Sequence, residues 1–232
     1  MIPTFRAAVG TDTGHRYTAN FDVAHLDTAP LLAAVADGMG DGPGSAMAGR
    51  TTVDRLVRAA RSAADVADAV TTAHREVADY GREIAGLAGC TLTALVETPD
   101  GLWLAHIGDS RAYRLRRGLL ELLTVDHTIA WLGAVHGWYP FDSPQAAAAR
   151  YQLTRYVGHP AQPEPDLAKL TAAPGDVYLL CTDGVAEQVP YHLMHDTLSR
   201  PTTPDAMVRT LLSAADAAGG NDNSTAIVLR AG

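Results

Sequence analysis

The chain has 232 residues, 47% of them apolar and 19% charged, so it is long enough to bury a sizeable core and too apolar to be a disordered chain. Its formal net charge of −8 argues against a nucleic acid or an anionic membrane surface as the main partner. Cys90 and Cys181 both lie inside apolar runs, which suits small buried hydrophobes in a reducing cytoplasm better than a disulfide. No stretch reaches the roughly 18 to 20 apolar residues that span a bilayer, and the opening residues lack a signal-peptide pattern, so a soluble cytoplasmic protein is expected.

Residues 5–13 and 21–28 read as short strands around a turn at Thr13-Gly14-His15, and 31–37 as a third strand. That third strand is a run of small and apolar residues ending in Asp37, followed by Gly38, Gly40, Gly42 and Gly44. Ala-rich segments at 45–60 and 63–84 place Val53, Leu56 and Val57, then Val66, Ala69 and Val70, at helical spacing, with a break at Arg61-Ser62. The period then changes. Residues 90–96, 102–107, 110–116 and 119–124 read as four strands of an antiparallel meander, joined at Pro99-Asp100-Gly101 and Gly108-Asp109 by turns too tight for crossover helices.

Residues 127–134 and 145–151 suit short helices around the aperiodic stretch His136-Gly137-Trp138-Tyr139-Pro140-Phe141, which reads equally as a lid or as an irregular packing loop. Asp176 to Gly184 is a second apolar strand ending in Asp-Gly. Helices follow at 190–198 and 204–217, and Gly219 to Ser224 leads into a last strand at 225–230. No linker or low-complexity tract divides the chain, so one domain over residues 1–232 is expected.

Asp37 and Asp183 each end an apolar strand before a glycine, Asp222 lies in a Gly/Asn turn before a strand, and Asp22 precedes another. Remote carboxylates converge only in three dimensions, and like charges brought together need a cation. With no Cys/His spacing motif, an all-oxygen set points to Mg²⁺ or Mn²⁺ rather than structural zinc; four unrelated turn aspartates are the plain alternative. The glycines after Asp37 alternate and do not form a dinucleotide fingerprint, and no phosphate-binding loop or HExxH is present. His127, beside Asp126, is expected to pack in the core or in a turn.

The chain resembles the metal-dependent PP2C-type (PPM) Ser/Thr protein phosphatases in their compact bacterial form. The likeness rests on Thr11-Asp12-Thr13-Gly14 with Asn20 and Asp22, Val35-Ala36-Asp37-Gly38-Met39-Gly40, Gly89-Cys90-Thr91 and Ile107-Gly108-Asp109-Ser110-Arg111. It continues through Thr124-Val125-Asp126-His127-Thr128, Leu153-Thr154-Arg155-Tyr156-Val157-Gly158, Cys181-Thr182-Asp183-Gly184 and Asp222-Asn223-Ser224-Thr225, so it runs nearly end to end.

The resemblance implies an α+β fold: a four-layer α-β-β-α sandwich of two antiparallel sheets flanked by helices. It implies two Mn²⁺ or Mg²⁺ ions, with Asp37 bridging them, the Gly38 carbonyl binding one, Asp183 and Asp222 completing the first, and Asp22 serving the second. Asp126 is the expected ligand of a weaker third ion shared with Asp183, and residues 129–152 the expected flap. The implied reaction is attack by a metal-bridging hydroxide on phosphoserine or phosphothreonine in proteins phosphorylated by Ser/Thr kinases. A monomer is expected.

Two departures bear on activity. Tyr17 stands at the family's phosphate-binding arginine, with Arg16 one position away as the candidate substitute, and a strand there would point Arg16 to the opposite face. Phe21 stands before the metal aspartate Asp22, where an acidic residue or Gln is common. A degenerate binding or regulatory module, and a metal-dependent phosphatase for a non-protein phosphate ester, therefore stay open beside the protein phosphatase.

Overall fold

In the computed structural model, which describes residues 2–232, the apolar runs become strands buried on both faces. One sheet has the order β1-β10-β9-β6-β7 and the other β2-β3-β4-β5-β8, and every pairing is antiparallel. The first is built from β1 (Phe5–Asp12), β6 (Arg111–Arg116), β7 (Leu119–Leu122), β9 (Val177–Cys181) and β10 (Ser224–Ala231). The second is built from β2 (Val23–Thr28), β3 (Leu31–Ala36), β4 (Leu92–Thr98), β5 (Gly101–Ile107) and β8 (Asp166–Leu170).

The period-two alternation of a strand explains the four layers. Along β3, Leu31, Ala33 and Val35 point into the core between the sheets, where they meet Leu95, Leu104, Tyr178, Leu180, Ile227 and Leu229. Leu32, Ala34 and Ala36 point the other way, against α1 (Pro43–Ala59) and α2 (Ala63–Glu83). On the far side, Leu179, Cys181, Ala226 and Val228 pack under α5 (Asp183–Ala186), α6 (Tyr191–Ser199) and α7 (Pro204–Ala217). A strand covered on both faces reads as a continuous apolar run, as Leu31–Ala36 and Val177–Cys181 do.

The helix boundaries have local causes. Ser62, Thr128, Ser143 and Thr203 each accept a hydrogen bond from the backbone N–H three residues on, satisfying a first-turn donor. Gly42 precedes α1 without a side-chain cap, and Pro43 fills the first helical position.

Several expectations are corrected here. β1 and β2 do not form a hairpin: β1 pairs with β10 in one sheet and β2 with β3 in the other. The meander also divides, with β4-β5 in one sheet and β6-β7 in the other, so the Gly108-Asp109 turn crosses between sheets. Strand β8 has no counterpart in the sequence reading, because an exposed edge strand carries little apolar alternation. Residues 129–152 form α3 (Ile129–Val135) and α4 (Pro144–Ala149), closed at the base by the Ile129 N–H donating to Gln152 O at 2.9 Å and inside by the Tyr139 hydroxyl donating to Ile129 O at 2.8 Å. Cys90 and Cys181 are buried and unpaired, in two different cores. Among the described residues, no helix is long and apolar enough to cross a membrane.

Candidate active site

Strand register brings the aspartates together. Val23 faces Ala36, so the residues just outside the paired ends, Asp22 and Asp37, leave β2 and β3 at the same edge. Cys181 faces both Ala226 and Arg111, which puts Asp183, Asp222 and Asp109 at the corresponding edge of the other sheet. A cleft of about 290 Å³ opens between these edges, lined by Asp37, Gly38, Asp109, Asp183 and Asp222, with Tyr17, Met39, Leu87, Tyr151 and Leu153 as its apolar and aromatic walls.

Hydrogen bonds fix the backbone at Asp37 and hold the carboxylates of Asp22 and Asp222. The Asp37 N–H donates to Thr91 Oγ1 at 2.9 Å, and the Thr91 N–H donates to Asp37 O at 2.9 Å, fixing the chain as it leaves β3. Asp22 lies one layer deeper. Its Oδ2 accepts from the hydroxyls of Thr182 at 2.8 Å and Thr225 at 2.7 Å, tying β2 to the ends of β9 and β10. Asp183 is the first residue of α5, where a carboxylate meets unsatisfied N–H groups. The Asn223 N–H donates to Asp222 Oδ1 at 2.8 Å. The Asn223 side chain also ties down the loop over residues 13–21, accepting from the Phe21 N–H at 2.8 Å and donating to Thr13 O at 2.8 Å and Ala19 O at 3.1 Å.

Gly38 and Gly184 are dictated by crowding. A Cβ on Gly38 would lie 2.7 Å from Ser45 O and 2.9 Å from Phe21 O, and one on Gly184 would lie 2.0 Å from Asn223 O. Bare backbone at these places lets the two sheet edges approach.

The electrostatics follow from that approach. Burial, then hydrogen bonds from Thr225 and Thr182 working against it, then the charges of Asp183 and Asp222, leave Asp22 with a pKa raised to about 7. Burial and the charge of Asp222 raise Asp183 to about 6. Burial and Asp183 push Asp37 and Asp109 well above the usual carboxylate range, and burial raises Asp222. Asp22 Oδ1 and Asp183 Oδ1 are sealed from solvent with no hydrogen-bond partner. Orphaned, buried carboxylate oxygens amid like charge fit an oxygen-seeking divalent cation. Among the described residues, however, no three acidic, His or Cys side chains converge into a ready-made ligand set.

Asp126 lies elsewhere than expected. Arg111 Nε donates to its Oδ1 at 3.0 Å and Arg111 Nη2 to its Oδ2 at 2.6 Å, so both oxygens are taken. Asp126 faces a different groove, lined by Trp131, Phe141 and Tyr191. Asp109, a turn residue by its sequence, lies in the cleft instead. Its position directly after Gly108, between two strand runs, is the sequence signal that marks it.

Arg16 and Tyr17 sit in an irregular loop rather than a strand, so the opposite-face objection does not apply. Tyr17 lines the cleft itself, and Arg16 lines a small adjoining hollow with Asp183 and Asp222. The Arg16 guanidinium carbon is 5.0 Å from the centre of the Tyr17 ring, and Phe21 meets that ring edge-on at 6.3 Å. The two departures at 17 and 21 thus pack on each other.

The Protein phosphatase 2C family profile matches residues 19–223. The serine/threonine protein phosphatase PstP of Mycobacterium tuberculosis is 36% identical over 141 residues, which is 60% of this chain and 27% of that protein; the chain thus matches about a quarter of PstP's length. Among solved structures, the PPM Ser-Thr phosphatase MsPP from Mycobacterium smegmatis, in complex with cacodylate, is 32% identical, covers 99% of this chain and 100% of its own, and superposes with a TM-score of 0.87. The catalytic domain of PstP in complex with two manganese ions is 30% identical over 98% of both chains, with a TM-score of 0.86. Two antiparallel sheets between helix layers, a cleft of carboxylates at their shared edge and a profile match across most of the sequence lead to one assignment: the chain belongs to the protein phosphatase 2C family.

Proposed function

We propose that this chain is a Mn²⁺- or Mg²⁺-dependent protein Ser/Thr phosphatase. The observation that carries the reading is the pair of orphaned, solvent-sealed oxygens, Asp22 Oδ1 and Asp183 Oδ1, beside a cleft lined by four further acidic or carbonyl donors, Asp37, Gly38, Asp109 and Asp222. In this reading Asp37, the Gly38 carbonyl, Asp183 and Asp222 would hold the principal ions, Asp22 would support them, and Asp109 would take the role expected of Asp126. When bound, a divalent pair supplies Lewis acidity, making water nucleophilic near neutral pH and offsetting charge on the phosphoryl oxygens.

The protein's own residues supply placement. Tyr17, Met39, Leu87, Tyr151 and Leu153 wall the cleft and limit water around a bound ester. Arg16 lines the side hollow with Asp183 and Asp222, where it would meet a phosphate, and the flap over residues 129–152 borders the cleft through Tyr151, just beyond α4. Its substrates are phosphoproteins made by Ser/Thr kinases in the same cytoplasm, and the chain works as a single-domain signalling enzyme and a monomer. The PstP catalytic domain solved with two manganese ions supports the metal dependence of this reading.

The test is hydrolysis of a phosphothreonine peptide with and without millimolar Mn²⁺. Turnover that requires the metal and falls at least a thousandfold, roughly, in Asp37→Asn and Asp183→Asn is expected. Mn²⁺ binding without turnover would identify a binding module instead, and faster hydrolysis of small phosphate esters than of the peptide would identify a non-protein substrate.

A further inference from the structure

A buried polar network runs from Thr91, at the cleft, back into the core. Thr91 Oγ1, which receives the Asp37 N–H, is 2.7 Å from Ser110 Oγ. The Thr93 hydroxyl sits between the Ser110 carbonyl at 2.8 Å and His106 Nδ1 at 2.9 Å, and His106 Nε2 donates to Val125 O at 3.0 Å. The His106 ring lies against His127, with centroids 4.8 Å apart. Thr91, Thr93, His106, Ser110 and His127 are all buried.

His127 grips both polar groups of one residue. Its backbone N–H donates to Gly108 O at 2.8 Å, and its Nδ1 accepts from the Gly108 N–H at 3.0 Å. Gly108 has φ +110°, and a Cβ there would lie 2.6 Å from Thr91 Cβ, so this peptide has neither a common conformation nor space to relax. The next residue is Asp109, whose carboxylate lines the cleft. Because Nδ1 accepts, the ring proton is on Nε2, and Asp166 Oδ2 at 3.1 Å is its acceptor. Arg155 Nη1 holds the other oxygen of Asp166 at 2.8 Å; 2.7 Å from Nε2, it is a donor and cannot accept the ring proton, so Asp166 alone can.

We propose that His127 is a positioning residue for Asp109: it locks the Gly108-Asp109 turn through Nδ1, and Asp166 fixes the tautomer that makes this lock possible. The inference builds on the proposed metal centre for its effect on activity, while the lock itself is a property of the metal-free fold.

The experiment compares His127→Asn, His127→Leu and Asp166→Ala in the full chain. Asparagine Oδ1 can accept where Nδ1 does, whereas leucine fills the space without an acceptor. In the metal-free protein, Gly108 amide hydrogen exchange should accelerate in His127→Leu, stay close to wild type in His127→Asn, and rise modestly in Asp166→Ala. By calorimetry His127→Leu should bind Mn²⁺ roughly 10- to 100-fold more weakly, with His127→Asn recovering most of the loss. Wild-type exchange and Mn²⁺ affinity in a folded His127→Leu, or a His127→Asn no better than leucine, would overturn the proposal. If leucine prevents folding, His127→Asn and Asp166→Ala decide it: unprotected Gly108 in the first, or no change in the second, would refute it. Failure of the wild type to bind Mn²⁺ would refute the proposed function, and the Gly108 exchange would still decide the role of His127.

Discussion

Replacing Asp22 with asparagine should stabilise the metal-free protein even though it damages the site. Asp22 rises from 3.8 to about 7 on folding, so the folded state binds its proton more tightly than the unfolded chain. Such a group destabilises the fold above its folded pKa, and the penalty fades as pH falls through that value towards 3.8. At about 1.4 kcal/mol per pH unit the penalty is ~4 kcal/mol at pH 8 and ~2 kcal/mol at pH 5. Asparagine removes the charge but keeps an oxygen for the Thr182 and Thr225 hydroxyls, weakening two charge-assisted hydrogen bonds by ~1 kcal/mol each.

The net gain is then ~2 kcal/mol at pH 8 and near zero at pH 5, or ~4 to 8 °C in Tm at pH 8 for a chain of this size. Thermal melts in excess chelator at the two pH values measure it. Added Mn²⁺ should raise the wild-type Tm more than that of Asp22→Asn, reversing the order, because only binding to the folded state stabilises. A variant less stable than wild type at pH 8 without metal, or one equally stabilised at both pH values, would refute the reasoning.

Arg16→Ala should raise KM for a phosphopeptide several-fold, roughly, while changing kcat less than about twofold, as expected for a contact made equally in ground and transition states; steady-state kinetics with an unchanged KM would show that Arg16 does not meet the phosphate. Gly38→Ala should cost ~1 to 3 kcal/mol in urea denaturation and displace the Gly38 carbonyl, because the new Cβ meets two backbone oxygens that cannot rotate away. Arg111→Met should destabilise by ~3 to 5 kcal/mol, since Asp126 and Glu187, with side chains 14% and 11% exposed, both lose the guanidinium they share. The same melt on the Arg111→Met, Asp126→Asn double variant should recover part of that loss, because one stranded charge is then gone.

Much of this fold is written locally. Leu31–Ala36 and Val177–Cys181 are apolar at every position because both faces are covered, and the apolar spacing in α1, α2 and α7 follows from helices with one buried side. Those runs end in Asp-Gly, so candidate ligands 37 and 183, and 222 before β10, are visible without coordinates. Periodicity records which faces are buried, and says nothing of which strand lies alongside. The crossing of the chain between sheets at Gly108 therefore could not be read, and β8, half exposed at an edge, left too faint an alternation to recognise.

Partner choice among charges was equally out of reach. Asp126 stands in a motif that invites a ligand role, yet the β6–β9 pairing sets Arg111 where it closes on both carboxylate oxygens, and the same crossing turns Asp109 towards the cleft. Sequence alone determined which carboxylates end buried strands, because burial is imprinted residue by residue. Only the tertiary structure decided which of them share a hollow and which are neutralised by an arginine, because Coulomb attraction depends on distances that strand pairing across the whole chain sets.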